Sequence, residues 1–297
     1  MEYMSMFIAD QWKDFELLDC SRGEKLERWG KYILRRPDPQ TIWPKTDEGL
    51  WQRAHAWYHR SDRGGGEWEF MTRLPEKWTV ELGELQFYVR PTGFKHTGLF
   101  PEQSANWEWM AGRIRAAGRK DIRVLNLFAY TGGATMACAA AGAHVTHVDA
   151  AKGMVQWAKE NRELSGLPET SCRWIVEDVM RFLQRENRRG NRYDGILMDP
   201  PSYGRGPGGE VWKLEQNLWP FLTLCMGVLS EDPLFVLINS YTTGLSPSVL
   251  SYMTESTVTK KYGGRSDAQE LGLPVSVNGL ALPCGASCRW TRNPDCL

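Results

Sequence analysis

The sequence lacks an excess of charge of either sign: 36 lysines and arginines face 36 aspartates and glutamates, for a formal net charge of zero. A nucleic-acid partner is therefore not announced by overall charge and would need a local basic patch. Long apolar runs are missing as well. No stretch nears the roughly 18 apolar residues of a membrane-spanning helix, so a helical span is excluded and no membrane partner is expected. Met1 to Asp10 has neither a basic region nor a small-residue cleavage site, so no secretory signal is expected. Seven scattered cysteines, an odd number, suit a reducing cytoplasm better than a disulfide framework. Cys284 and Cys288 are the one close pair, and without two further ligands at a defined spacing no metal site is expected. Internal repeats and low-complexity tracts are absent. The turn Phe128–Gly133 carries no Gly-x-Gly-x-x-Gly, which weakens a dinucleotide reading.

What is present divides in two. Of fourteen tryptophans, nine precede residue 110, which marks the N-terminal third as a different kind of structure. From Gly30 to Arg90 short extended pieces (Tyr32–Leu34, Trp78–Val80, Leu85–Val89) alternate with turns such as Asp62-Arg-Gly-Gly-Gly66. This predicts a small β-rich domain with its boundary near Pro91-Thr-Gly93, dividing the chain into 1–92 and 93–297. Beyond it, helix and strand alternate. A helix over Pro101–Gly118 precedes strand Arg123–Phe128, helix Ala134–Ala141, strand His144–Val148 and helix Lys152–Ser165. Strand Arg173–Val176, helix Val179–Arg188, strand Tyr193–Met198, helix Lys213–Leu229 and strand Leu234–Ile238 follow, then a strand pair around Asn278-Gly279. The pattern predicts an α/β fold, a mostly parallel sheet with helices on both faces.

In such a sheet ligands bind beyond the carboxyl ends of the strands, so residues just after each apolar run carry the information. Phe128-Ala-Tyr-Thr-Gly-Gly133 is a glycine turn entering a helix, suited to close backbone approach to a ligand or simply a strand-to-helix turn. Asp149 ends the second strand, where a carboxylate can accept the hydroxyls of an adenosine ribose; it can equally cap a helix. Glu177-Asp178 ends the third, where Asp178 either meets an adenine amino group or caps the next helix. Met198-Asp-Pro-Pro-Ser-Tyr203 ends the fourth. Its prolines stiffen the turn and leave carbonyls free for a substrate, while Asp199 can accept from a base N–H and Tyr203 can stack on a planar base. Asp199, Pro200 and Tyr203 are therefore the candidate catalytic group. Ser202, Tyr203 and Lys213 are candidate substrate contacts, with Gly204–Gly209 read as a lid.

The ordered set Val124-Leu-Asn-Leu-Phe-Ala-Tyr-Thr-Gly-Gly133, Asp149, Asn161, Asp178 and Asp199-Pro-Pro201 resembles class I methyltransferases dependent on S-adenosylmethionine (SAM). Within them it is similar to the RlmI-like bacterial branch that modifies large-subunit ribosomal RNA. Phe94-Lys-His-Thr-Gly-Leu-Phe-Pro-Glu-Gln103 resembles that branch's Lys-Thr-Gly-aromatic-x-x-x-Gln segment. Trp12–Asp19, Arg36–Gln40 and Gly204–Trp212 look like a less characterised subgroup of it. The resemblance implies a Rossmann-like class I fold with a seven-stranded sheet, SAM as cofactor and RNA as partner. It implies cofactor contacts from Gln103, Asn126, Phe128, Tyr130, Thr131, Gly132, Asp149, Ala150, Asp178 and Asp199.

The cytosine-C5 members place a cysteine after the fifth strand, and this chain has Ile238-Asn-Ser-Tyr241 there. A hydroxyl without an activating base cannot replace a thiolate that must attack the ring. Cys225 falls on the preceding helix, where burial is its expected fate. Nitrogen methylation needs no covalent nucleophile, only alignment, but N6-adenine enzymes place the aromatic directly after Pro-Pro whereas Ser202 intervenes here, so the target atom stays open. Two basic runs could meet RNA: Lys25, Arg28, Lys31, Arg35 and Arg36 around Trp29 and Tyr32, or Arg181, Arg185, Arg188, Arg189 and Arg192. The first competes with a core role for its aromatics; the second is expected to be a solvated helix face. A small-molecule or protein acceptor, an NAD-dependent oxidoreductase and a non-catalytic RNA-binding protein are the alternatives.

Overall fold

The computed structural model describes residues 6–45, 47–61, 65–205, 209 and 211–293. Two compact units make up the chain. One comprises Met1–Phe7, Ala105–Leu271 and Cys284–Leu297; the other comprises Ile8–Ser104 with Gly272–Pro283. The boundary expected at 92/93 lies inside the second unit, which runs on to Ser104 and takes in a segment from late in the sequence.

Strand β1 (Met6–Ile8) opens the described chain. In the N-terminal unit, β2 (Phe15–Ser21), β3 (Glu24–Trp29), β4 (Tyr32–Pro37), β5 (Ala56–Arg60) and β6 (Gly66–Phe70) form a five-stranded sheet in that order, with α1 (Glu48–Trp51) preceding β5. β7 (Trp78–Leu82) and β8 (Leu85–Val89) form a separate antiparallel pair. Leu85, Phe87 and Val89 alternate as buried residues along β8, the period-two signature of a strand with one buried face. β2 and β3 were not legible as strands, because buried Asp19 and Glu27 interrupt their apolar pattern. Their turn, Arg22-Gly23, takes positive φ at both residues (47° and 78°), the geometry that suits the twist of a hairpin. Val275 bridges Leu17, and Ser276 and Val277 donate backbone N–H groups to Leu17 and Leu18, which accounts for the late segment joining this unit.

The basic run of this unit is largely spent on its own acids. Arg28 pairs with Glu16 at 3.0 Å, Arg35 with Glu24, and Arg36 Nε with Glu27 at 2.6 Å. Trp29 is fully buried beside them. Of the two readings open to Lys25–Arg36, the core role is the one the fold takes. Three of the run's guanidinium groups are neutralised across strands and are not an unpaired basic patch.

The turn Pro101–Gln103 ends the first stretch of the N-terminal unit, and α2 (Ser104–Ala116) leads into the alternating region of the larger unit. There follow β9 (Arg123–Leu127), α3 (Gly133–Ala140), β10 (His144–Asp149), α4 (Lys152–Leu164), β11 (Cys172–Val176), α5 (Val179–Arg189) and β12 (Gly195–Met198). A short ribbon of β13 (Tyr203–Arg205) and β14 (Val211–Lys213) precedes α6 (Leu214–Val228) and β15 (Phe235–Ser240). The chain finishes with α7 (Pro247–Thr254), α8 (Lys260–Tyr262), β16 (Arg265–Pro274) and β17 (Ala281–Thr291). The sheet order is β1-β16-β17-β15-β12-β9-β10-β11. Seven strands are those of the expected fold, and β1 adds an eighth at the edge beside β16. β11, β10, β9, β12 and β15 are parallel, and β17 runs antiparallel to β15. β12 and β15 are buried along their whole length, as both-face burial of a parallel sheet requires. Phe182 and Leu183 of α5 and Phe221, Leu222 and Cys225 of α6 pack with Leu125, Ile196 and Val236 in one apolar core.

Among the described residues no helix is long and apolar enough to cross a membrane. Asp62–Gly64 of the expected loop and Gly206–Gly208 of the expected lid lie outside the described residues. On α5, Arg185 pairs with Glu177 while Arg181, Arg188 and Arg189 are exposed, as is Arg192 just beyond the helix, consistent with a solvated face.

Candidate functional site

The chain builds β9, β10 and β11 outward in one direction and then turns back to lay β12 and β15 on the other side of β9. The order reverses between β9 and β12, where a crevice opens at the carboxyl edge. Leu127 is in register with both Val148 and Met198. Phe128, Asp149 and Asp199 therefore leave three adjacent strands at one level, with about 5 Å between neighbouring strands.

The loop after β9 is held in an unusual conformation. Phe128, Tyr130 and Gly132 all have positive φ (57°, 50° and 85°). For the two aromatic residues this costs on the order of 1–3 kcal/mol each and persists only where the surroundings enforce it. The enforcing contacts are visible. Tyr130 N–H donates to Asp149 Oδ2 at 2.8 Å, Ala129 N–H to Val148 O at 3.1 Å, and Asn161 Nδ2 to Thr131 O at 2.9 Å. The two glycines serve different ends. Gly132 caps α3 in the left-handed region. At Gly133 an added Cβ would lie 2.3 Å from the ring of Trp107, so this glycine is required by packing.

Asp149 accepts from Tyr130 and, through Oδ1, from Ala151 N–H at 2.8 Å. Burial pushes its carboxyl above the usual carboxylate range, against the pull of those two N–H groups. A carboxylate has about four acceptor positions. Two remain for further donors, which fits the hydroxyls of a ribose at this edge. Ala150 is half-buried beside it. Asp178 caps α5, with Oδ1 accepting Arg181 N–H at 3.0 Å. Asn126 lies beneath the loop, buried, and donates to Thr135 Oγ1 at 2.9 Å; Thr135 in turn meets His147 Nδ1 at 2.9 Å. Burial brings the His147 pKa down to about 3, so this interior chain is uncharged. Gln103 closes the turn Pro101–Gln103 in the N-terminal unit, buried.

On the other side of the crevice, Asp199 N–H reaches Leu127 O at 3.4 Å and ties the Asp-Pro-Pro turn to β9. Asp199 is half-buried, Pro200 buried and Ser202 exposed. The expectation that the proline turn leaves its carbonyls free is corrected at Pro201, whose carbonyl accepts Trp212 Nε1 at 2.7 Å. Ser202 O accepts Leu214 N–H at 3.1 Å, and Ser202 Oγ lies 2.5 Å from Thr242 Oγ1 in the loop after β15. Tyr203 and Lys213 are direct partners across the β13–β14 ribbon. Both are exposed, and directly opposed residues share one face. Trp212, which sequence reasoning assigned no role, turns inward against Phe128 at 5.0 Å between ring centroids. No spacing rule in the sequence marks it.

Where the cytosine-C5 pattern has cysteine, buried Ser240 accepts Thr242 N–H at 3.1 Å. Cys225 and Cys288 are in the core, and burial drives both thiols upward, Cys288 to about 11. Neither is a ready nucleophile. Among the described residues no cluster of three or more His, Cys, Asp or Glu side chains is arranged to hold a metal.

Comparison with known proteins agrees with this geometry. A crystal structure of a SAM-dependent methyltransferase from Agrobacterium tumefaciens superposes with TM-score 0.92 at 39% identity, covering 98% of this chain and 94% of that one. The ribosomal RNA large subunit methyltransferase K/L of Syntrophotalea carbinolica is 28% identical over 184 residues, 61% of this chain and 25% of that protein. The ribosomal RNA large subunit methyltransferase K of Neisseria meningitidis serogroup B is 33% identical over 142 residues, 48% of this chain and 39% of that protein. The chain thus spans well under half the length of these two curated relatives. The family model for S-adenosylmethionine-dependent methyltransferases matches residues 48–222. By that match, and by the crevice between β9 and β12, the chain belongs to the SAM-dependent methyltransferase family.

Proposed function

We propose that the chain transfers the methyl group of SAM to a base nitrogen of RNA, with ribosomal RNA as the first acceptor to test. One observation carries the choice of acceptor. Tyr203 is 53% exposed and directly opposite exposed Lys213 on the ribbon that follows Asp199-Pro-Pro. An aromatic face beside a cation is what an unstacked base and its phosphate require. The names of the two ribosomal RNA methyltransferase relatives support the same class.

SAM supplies an electrophilic methyl group on a sulfonium sulfur. The chain's part is to hold and align. Asp149 accepts the ribose hydroxyls, and Phe128, Tyr130, Thr131 and Gly132 shape the turn around the cofactor. Ala150, Asp178 and Asn126 are assigned to the same pocket, Asp178 toward the adenine amino group. Asp199 accepts a hydrogen bond from the acceptor's amino or ring N–H, with Pro200 fixing that carboxylate, and Tyr203 stacks on the base. Held this way, the acceptor nitrogen would take the methyl group from SAM, with the electron pair of the carbon–sulfur bond left on sulfur and the N–H proton passing by way of the Asp199 carboxylate to solvent. Alignment of this kind can remove about 7–11 kcal/mol of barrier without a covalent catalyst. The lack of a cysteine in the sequence segment that follows β15 supports nitrogen over carbon as the acceptor. The larger unit is assigned the cofactor and the transfer, and the N-terminal unit the selection of RNA, in the cytoplasm where ribosomal RNA is found.

The test is methyl transfer from methyl-labelled SAM into RNA isolated from a strain lacking this protein, followed by mass spectrometry of the nucleosides. Label in one N-methylated nucleoside of ribosomal RNA is the expected result. Label confined to a metabolite or protein fraction sinks the RNA reading.

A further inference from the structure

Phe128, Pro201 and Tyr203 belong to three separate parts of the site, and one side chain joins them. The indole Nε1 of Trp212 donates to the Pro201 carbonyl at 2.7 Å. Its ring meets Phe128 at 5.0 Å and 62°, and Phe221 of α6 at 5.4 Å and 86°. Its backbone lies opposite Gly204, between the pairs Tyr203–Lys213 and Arg205–Val211. Successive strand residues point to opposite faces. Hence Trp212, 9% exposed, faces inward, while Tyr203 and Val211, 53% and 50% exposed, face solvent.

Phe128 is the other half of the relationship. It is a phenylalanine at φ 57°, a conformation that its packing must enforce. Trp212 and Phe221 both pack their rings against it. Close-packed interiors have no slack at such contacts, so a shift of the Phe128 ring must displace Trp212. Trp212 cannot move without carrying the Pro201 carbonyl and the strand opposite Tyr203.

We propose that Trp212 is a positioning residue that couples the loop at Phe128 to the acceptor turn at Pro201 and to the outward Tyr203–Lys213 face. The inference rests on the assignment of Phe128–Gly132 to the cofactor and Asp199–Tyr203 to the acceptor. A ligand shifts such an element only through contacts that differ between its two states, and Phe128 provides that contact. Cofactor binding thereby sets the ribbon for the acceptor, although Trp212 touches neither.

The test labels the full chain with 5-fluorotryptophan and follows its fluorine resonances as S-adenosylhomocysteine is added. Of the signals from fourteen tryptophans, those missing in Trp212→Phe and in Trp219→Phe identify these two residues. The Trp212 signal is expected to shift by more than its linewidth, while that of Trp219, 48% exposed on α6, stays in place. Calorimetric binding with an unmoved Trp212 signal overturns the coupling and leaves the methyltransferase reading intact. No calorimetric binding at all removes the cofactor assignment and this inference together. In the transfer assay, Trp212→Leu is expected to lower kcat at least tenfold, beyond whatever affinity for S-adenosylhomocysteine it loses through Phe128. Trp212→Phe, which keeps a ring against Phe128, should recover part of that loss. Parallel loss of affinity and rate in Trp212→Leu marks a merely structural residue and refutes the proposal.

Discussion

The backbone N–H of Tyr130 donates to Oδ2 of Asp149 across 2.8 Å, so the carboxylate at the end of β10 also holds the left-handed turn after β9. One side chain thus shapes the loop and supplies acceptor positions at the crevice. Replacing it has two consequences that can be separated. Asp149→Ala should weaken S-adenosylhomocysteine binding by roughly 10–100-fold, the scale of losing hydrogen bonds to a charged group. Calorimetry reads this, and an unchanged Kd would remove Asp149 from the cofactor site. Asp149→Asn should fall between, since its amide keeps one acceptor oxygen but loses the charge.

The same residue sets a pH dependence. Burial raises the Asp149 carboxyl, so its proton returns at a higher pH than for an ordinary aspartate. Cofactor affinity should decline on acidification, beginning above the usual carboxylate range. For stability the sign is opposite: a folded-state pKa above the unfolded one makes ionised Asp149 a cost at neutral pH that acidification relieves. Binding titrations at several pH values in parent and Asp149→Asn check this, with the decline expected only in the parent.

In the N-terminal unit Glu27 is fully buried against Arg36. Burial by itself would raise its carboxyl, but the charges of Arg36 and Lys25 outweigh that and hold it at about 2, from an ordinary 4.5. Its contribution to stability is therefore complete above about pH 4.5 and is lost as pH falls toward 2. Glu27→Gln should destabilise the fold by about 3–5 kcal/mol at neutral pH, because it leaves a buried guanidinium unpaired. Thermal melts should also show a shallower acid slope in that variant.

Gly133→Ala should be harmful for a reason of space. The added methyl meets the Trp107 ring at 2.3 Å, and forced overpacking costs about 1–3 kcal/mol. Denaturant unfolding should show part of that loss restored when Trp107→Leu is added. Failure of the second change to compensate would place the cost elsewhere in the loop.

Tyr203→Ala should reduce transfer to RNA by roughly 5–150-fold, corresponding to about 1–3 kcal/mol for one stacked base. Tyr203→Phe should retain most activity, and Lys213→Ala should lose activity at low salt and show a shallower decline than the parent as salt is raised. Cofactor binding should be unchanged in all three, so a matching loss of SAM affinity would contradict the assignment of this face to the acceptor.

Much of the α/β region was legible because its strands are short apolar runs with the candidate site residues just beyond them, as at Leu127-Phe128, Val148-Asp149 and Met198-Asp199. The order of these segments also carried the family. β2 and β3 were not legible. Their inward positions include Asp19 and Glu27, which satisfy Trp51 Nε1 and Arg36 through partners far along the chain. The basic stretch Lys25–Arg36 showed the same limit from the other side: its charge was visible, but the acids opposite it appear only once strands pair.

By itself the sequence determined the alternation of helix and strand, the positions of Asp149 and Asp199, and the lack of a thiol after β15. These depend on local periodicity and on which residue follows which. Tertiary structure alone decided that Gly133 serves Trp107, that the Pro201 carbonyl belongs to Trp212, and that Tyr203 faces Lys213. Each joins residues that sequence spacing does not pair. Hydrogen bonds and packing act over a few ångströms in space, whatever the distance along the chain.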